Sequence, residues 1–143
     1  MMTVSRIIGA KGHDVVTARP HYNIADVAQV LAEKKIGAVV VTDDRGAIRG
    51  ILSERDIVKA IATHGARALD EQVSQHMTVE ITTCGPSALI NDMMASMTAG
   101  KFRHVPVEES GRLVGIISIG DVVKHRVAEI ENEREALESY ITS

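Results

Sequence analysis

Apolar positions along the chain fall into blocks with two different periods. Ile24, Val27, Ala28 and Leu31 stand three or four residues apart, the spacing of a helix with one buried face. Ile90, Met93, Met94 and Met97 repeat that spacing later in the chain. Each helix is preceded by a short extended piece, Val15–Thr17 or Ile81–Thr83, and then a proline. Each is followed by an apolar run, Ala38–Val41 or Phe102–Val107, too short for a helix and rich in β-branched residues, which predicts a strand. Asp43-Asp44-Arg45-Gly46 and Glu108-Glu109-Ser110-Gly111 read as turns closed by glycine. Second strands then end at Gly50-Ile51-Leu52 and Gly115-Ile116-Ile117, and Ser53 or Ser118 opens another helix. The predicted unit is β-α-β-β-α, with a hairpin between its last two strands.

The unit occurs twice. Pairing Thr17–Asp43 with residues 66 positions later, then dropping one residue at Asp44 and continuing at offset 65 to Ala60, gives 14 identities in 43 pairs. Chance would give roughly three. Ser53/Ser118, Asp56/Asp121, Gly50/Gly115 and Lys35/Lys101 are among them. One such unit buries its own sheet poorly. Two copies packed sheet to sheet with pseudo-twofold symmetry would share a core, an α+β fold. The expected divisions are residues 1–62 for the first copy with a helical lead-in near Thr3–Ile8, 63–76 for a connector, and 77–143 for the second copy. The last helix should run from Gly120 to about Ile141. Its apolar positions Val123, Val127, Ile130, Leu137 and Ile141 exceed the needs of one short repeat, which predicts a homodimer.

Composition narrows the function classes. Hydrophobic residues are 45% and charged residues 24%, the mix of a folded globular protein. Sixteen basic against 19 acidic residues leave a net charge of −3, so bulk charge would not hold nucleic acid or anionic lipid. Three scattered aromatics, Tyr22, Phe102 and Tyr140, build no base-stacking platform. Cys84 is the single cysteine, which excludes an internal disulfide and any cysteine-based zinc site. Residues 1–12 lack the apolar run of a signal peptide, and no stretch has the length of a membrane helix. A cytoplasmic location is expected.

The residues with chemistry are few. Ser53-x-x-Asp56 and Ser118-x-x-Asp121 each read as a helix N-cap with an acidic residue one turn in. The same geometry offers free N–H groups and positive dipole to a phosphate, and a carboxylate to a ribose diol. Met93, Met94 and Met97 read as core. Cys84 reads as a small buried residue without a His-Asp pair. The histidines at 13, 21, 64, 76, 104 and 125 show no metal-ligand spacing on a helix, so no metal is expected. No G-x-G-x-x-G or P-loop pattern occurs.

Ile36–Val41 through Gly50–Asp56, Phe102–Val107 through Gly115–Asp121, and Met77-Thr78 ahead of the second copy carry a family resemblance. The chain resembles a tandem pair of CBS domains, a Bateman module, over nearly its whole length, and of the stand-alone bacterial type. The resemblance implies a regulatory, non-enzymatic module that binds AMP, ADP, ATP, NAD(H) or S-adenosylmethionine in clefts between the copies and relays binding as a change of shape. It implies one site at Ser53, Glu54, Arg55 and Asp56, with Thr78, Phe102, Arg103, His104, Val105 and Pro106. It implies another at Ser118, Ile119, Gly120 and Asp121, with Gly37, Ala38 and Val39, and Lys11-Gly12-His13 near its mouth. Arg55, Arg103 and His104 would concentrate phosphate charge at the first. It also implies a flat dimer of four CBS units and a regulated protein partner that the sequence does not name. An enzyme acting on an adenine nucleotide, or a dimerising scaffold with vestigial clefts, are the alternatives.

Overall fold

The two helices with the strongest period begin the same way. In the computed structural model, which describes residues 2–142, α2 spans Ile24–Lys34 and α4 spans Ile90–Gly100, 66 positions later. The outermost residues of the expected divisions, Met1 and Ser143, lie outside it. Neither helix has a side-chain N-cap. The Ile24 N–H donates instead to the Glu71 carbonyl at 3.0 Å, and the Ile90 N–H to the Met2 carbonyl at 3.1 Å. Both helices end on a lysine in the left-handed region, Lys35 at φ 54° and Lys101 at φ 56°. That conformation turns the chain toward the strand that follows, a position that usually takes glycine.

The remaining elements are α1 (Val4–Lys11), β1 (Thr17–Ala18), β2 (Ala38–Thr42), β3 (Ile48–Ser53), α3 (Glu54–His64), β4 (His104–Glu109), β5 (Arg112–Ser118) and α5 (Ile119–Thr142). β1 runs parallel to β2, and β2 antiparallel to β3, with Val40 opposite Ile51. β4 pairs with β5. The hairpin loops differ, spanning residues 43–47 in the first and 110–111 in the second. In the first, Asp43 Oδ1 accepts from the Arg45 and Ala47 N–H groups, and Gly46 takes φ 81°. In the second, Ser110 and Gly111 both have positive φ, 53° and 76°, as a two-residue primed turn requires. The one-residue gap in the internal repeat falls within these loops.

The second copy departs from the expected unit. Its first extended piece is reduced to a single parallel bridge between Cys84 and Val107. Pro106 stands where the first copy has Val40, whose N–H donates to the Val16 carbonyl. A proline has no N–H to give, so the ladder does not extend. The connector is itself structured. It folds into two 3₁₀ turns, Gly65–Asp70 and Val73–Gln75, and buries Ala68 and Val73 fully.

The chain forms two compact units that do not coincide with the sequence copies. One comprises Asp14–Thr82 and Ser110–Val114, and the other the residues up to His13, Thr83–Glu109 and those from Gly115 onward. The first, the Asp56 unit, has a core of Ala18, Ile24, Val27, Leu31, Val39, Val41, Leu52, Ile57 and Val73. The second, the Asp121 unit, buries Val4, Ile7, Ile90, Met93, Met97, Val105, Ile117 and Val122, and there α1 and α4 pack on α5. Helix α1 is thus a partner of the second copy's elements, although it precedes the first.

Gly50 and Gly115, identical in the repeat, each admit a close neighbour. A Cβ on Gly50 would lie 2.6 Å from the Thr78 carbonyl oxygen; on Gly115 it would strike the Ile8 Cδ1 methyl. Backbone cannot rotate away, whereas a methyl can. Gly50→Ala is therefore expected to destabilise by about 1–3 kcal/mol, and Gly115→Ala by clearly less. Urea denaturation of the two variants checks the order.

Candidate functional site

Ser53 ends β3 and begins α3, so its side chain stands at a helix N-terminus. Its hydroxyl accepts from the Asp56 N–H at 3.3 Å, and its own N–H donates to Asp56 Oδ2 at 2.9 Å. Ser118 and Asp121 repeat this reciprocal cap at 3.1 and 2.9 Å. Both turns therefore satisfy the capping reading. A carboxylate accepts about four hydrogen bonds, so capping leaves acceptor capacity on each aspartate.

Each aspartate also meets a residue from a distant segment of its own unit. The Thr78 hydroxyl donates to Asp56 Oδ1 at 3.0 Å. Ile51 and Thr78 exchange both backbone hydrogen bonds, at 3.0 and 2.8 Å, which fixes that hydroxyl. The Lys11 ammonium donates to Asp121 Oδ2 at 2.8 Å and to the Ile116 carbonyl at 2.9 Å. The offset of 66 that defines the repeat pairs Lys11-Gly12 with Met77-Thr78. The two lead-in segments thus play equivalent parts, with a neutral hydroxyl on one aspartate and a cation on the other.

Burial pushes the Asp121 carboxyl up, but the Lys11 hydrogen bond, then the Ser118 N–H, outweigh it and hold the carboxyl below its ordinary value. Gly37 and Arg103 sit at the heads of their own copies' helices: the Gly37 carbonyl accepts from Glu54 N–H at 3.0 Å, and that of Arg103 from Ile119 N–H at 2.8 Å. Ala38 lies opposite Ser53 in the β2–β3 ladder.

The other predicted positions are distributed as follows. Glu54, Arg55 and Gly120 are exposed in first helical turns, and the Arg103 side chain is exposed. Val105 and Pro106 are buried in β4, while Phe102 and His104 are half-buried. Phe102 lies against Gly100. Gly12 closes α1 with φ 101°, its N–H donating to the Ile8 carbonyl at 2.7 Å. A small apolar pocket in the Asp56 unit is lined by Thr17, Ala18, Tyr22, Asp26, Val27, Val30 and Val39; of the predicted site residues it includes Val39 alone. Burial raises the Cys84 thiol to about 11, which keeps it protonated and unreactive at neutral pH. No described helix is long and apolar enough to cross a membrane.

The sequence reading put Lys11 near the mouth of the Asp121 site, and the structure pairs it with Asp121 itself. The cluster of His64, Glu71 and His76 was not foreseen, because no helical spacing signals it.

Comparison with known proteins agrees with this geometry. The CBS domain family model matches residues 6–63 and again 73–128. The chain belongs to the CBS domain family, with two domains in tandem. A CBS-domain-containing protein of Agrobacterium tumefaciens, solved by crystallography, is 51% identical, with a TM-score of 0.85 over 87% of this chain and 99% of its own. An uncharacterized 17.7 kDa protein of Acidianus ambivalens is 34% identical over 85% of this chain and 71% of its own length. The crystal structure of the CBS domain pair of protein MJ0100, in complex with 5′-methylthioadenosine and S-adenosyl-L-methionine, shares the fold at 22% identity and a TM-score of 0.80, covering 90% of this chain and 98% of its own.

The Asp121 ion pair has a pH signature. A carboxyl lowered in the folded state contributes stability that is fully present above its ordinary value of 3.8 and is lost as pH falls through the lowered folded value. Lys11→Met is expected to raise the Asp121 value and start the acid loss at higher pH. Carboxyl titration by NMR, with acid unfolding alongside, measures it; an unchanged Asp121 titration would show that the pair does not form in solution.

Proposed function

We propose that this chain is a non-catalytic regulatory module that binds adenosine-containing nucleotides at its two Ser-x-x-Asp turns and relays occupancy as a conformational change. The observation that carries the reading is the duplicated turn: a capped helix N-terminus beside a carboxylate with spare acceptor capacity. The helix end suits a phosphate and the carboxylate suits a ribose diol. The methylthioadenosine- and S-adenosylmethionine-bound CBS pair supports an adenosine ligand; AMP, ADP, ATP and NAD(H) share that moiety. The relay follows from sharing. A diol bound to Asp56 or Asp121 shares that carboxylate with the Thr78 hydroxyl or the Lys11 ammonium, and so changes how the lead-in segment that carries it is held. Arg55 and Arg103, both exposed, supply phosphate charge, and the regulated partner is a separate protein.

Asp56→Ala and Asp121→Ala are each expected to weaken AMP binding about 10- to 100-fold, the loss of hydrogen bonds to a charged group. Ser53→Ala and Ser118→Ala remove the cap but keep the carboxylate, so they separate stability from ligand contact. Isothermal titration with AMP and adenosine reads the result. Equal affinity in both aspartate variants would leave the motif as a cap only.

We also propose that α5 forms a homodimer interface. Val123, Val127, Ile130, Leu137 and Ile141 lie on one stripe of the helix and are 43–72% exposed. Light scattering is expected to return twice the 15.4 kDa chain mass, and Ile130→Glu to return that of one chain. A wild-type mass of one chain at micromolar concentration would exclude the dimer.

A further inference from the structure

His64 is the last residue of α3, Glu71 follows the first 3₁₀ turn, and His76 follows the second. The chain doubles back between them and brings three ligand-type side chains together. Glu71 Oε1 lies 2.7 Å from His64 Nδ1 and 3.0 Å from His76 Nε2. The two rings meet edge to face at 5.3 Å. One donor atom from each of the three residues lies within 4.8 Å of the others.

The backbone beneath the cluster is fixed by structure unrelated to it. The Glu71 carbonyl accepts from Ile24 N–H at 3.0 Å, and its N–H donates to Ala68 at 3.1 Å. His76 and Met77 both donate to the Val73 carbonyl, at 3.0 and 2.9 Å, and Val73 is fully buried. The side chains are 32%, 23% and 12% exposed for His64, Glu71 and His76, so the cluster is held from behind and open on one side. Neither ring nitrogen can meet the carboxylate without a proton between them. A divalent ion in place of those two protons would satisfy the same three atoms.

We propose that His64, Glu71 and His76 form a binding site for a divalent transition-metal ion of the zinc type, with water in the open fourth position. Two imidazoles and a carboxylate with one open position form a zinc-competent donor set. Ligand distances of about 2.0–2.2 Å put tetrahedral donor atoms about 3.3 Å apart. The Glu71 oxygen therefore needs to move only a few tenths of an ångström from each ring nitrogen, and the two nitrogens, within 4.8 Å of each other, adjust toward the same spacing through their partly exposed side chains.

The test uses the full chain and zinc alone, without nucleotide, so its failure and that of the nucleotide reading are distinguishable. Competition against a chromophoric chelator is expected to give one tight zinc equivalent per chain. Substituting cobalt should give the intense visible bands of a low-coordinate site. His76→Ala and Glu71→Gln should each weaken zinc binding more than the roughly 10- to 100-fold that loss of an outer hydrogen-bond partner costs, while His125→Ala changes nothing. Glu71→Gln keeps the shape of the cluster. If His76→Ala unfolds, the Glu71→Gln affinity and the zinc-induced rise in melting temperature, present in the wild type and absent in the variant, decide the matter. No retained zinc, or equal affinity in wild type and Glu71→Gln, would overturn the proposal.

Discussion

An α-helix begins with N–H groups that have no partner within it, and the first turns of α2 and α4 have no side chain to answer them. Backbone carbonyls do so instead. Glu71 and Met2 supply them from the segments that lead into the other sequence copy. That requirement organises much of the molecule. Once residues 71–78 are drawn onto the first copy's helix, Thr78 reaches β3 beside Gly50 and lands on Asp56. Once residues 2–11 are drawn onto α4, Ile8 packs against Gly115 and Lys11 lands on Asp121. The compact units are discontinuous in sequence for this reason.

The duplication keeps the cap and varies what the cap faces. Both turns close with the same serine and aspartate, at nearly the same distances. Thr78 brings a neutral hydroxyl to its aspartate, whereas Lys11 brings a cation to its own. An incoming anion meets these turns on different electrostatic terms, although one ancestral pattern encodes both.

Much of this was legible from spacing. The three- and four-residue periods located α2 and α4, and the offset of 66 tied their ends together at Lys35 and Lys101. The Ser-x-x-Asp caps formed as the pattern implied. What escaped was non-local. Reading the loss of the second copy's first strand required setting Pro106 against Val40 and asking which N–H vanished. The connector had no assigned structure, yet Ala68 and Val73 within it are fully buried, because the stretch packs where α2 takes an acceptor from Glu71. The histidine cluster lies across two 3₁₀ turns, where ligand spacing follows no helical period.

The reach of the first segment bears on how the chain is made. The Met2 N–H donates to Glu129 Oε2 at 2.6 Å, across 127 positions of sequence. During synthesis, Met2 must wait for the 127 residues up to Glu129 before this native contact exists. The Asp56 unit, most of which is contiguous from Asp14 to Thr82, has its own core available much earlier. Vectorial synthesis therefore favours the Asp56 unit folding before α1 docks, since α1 has its partner only once α5 is made.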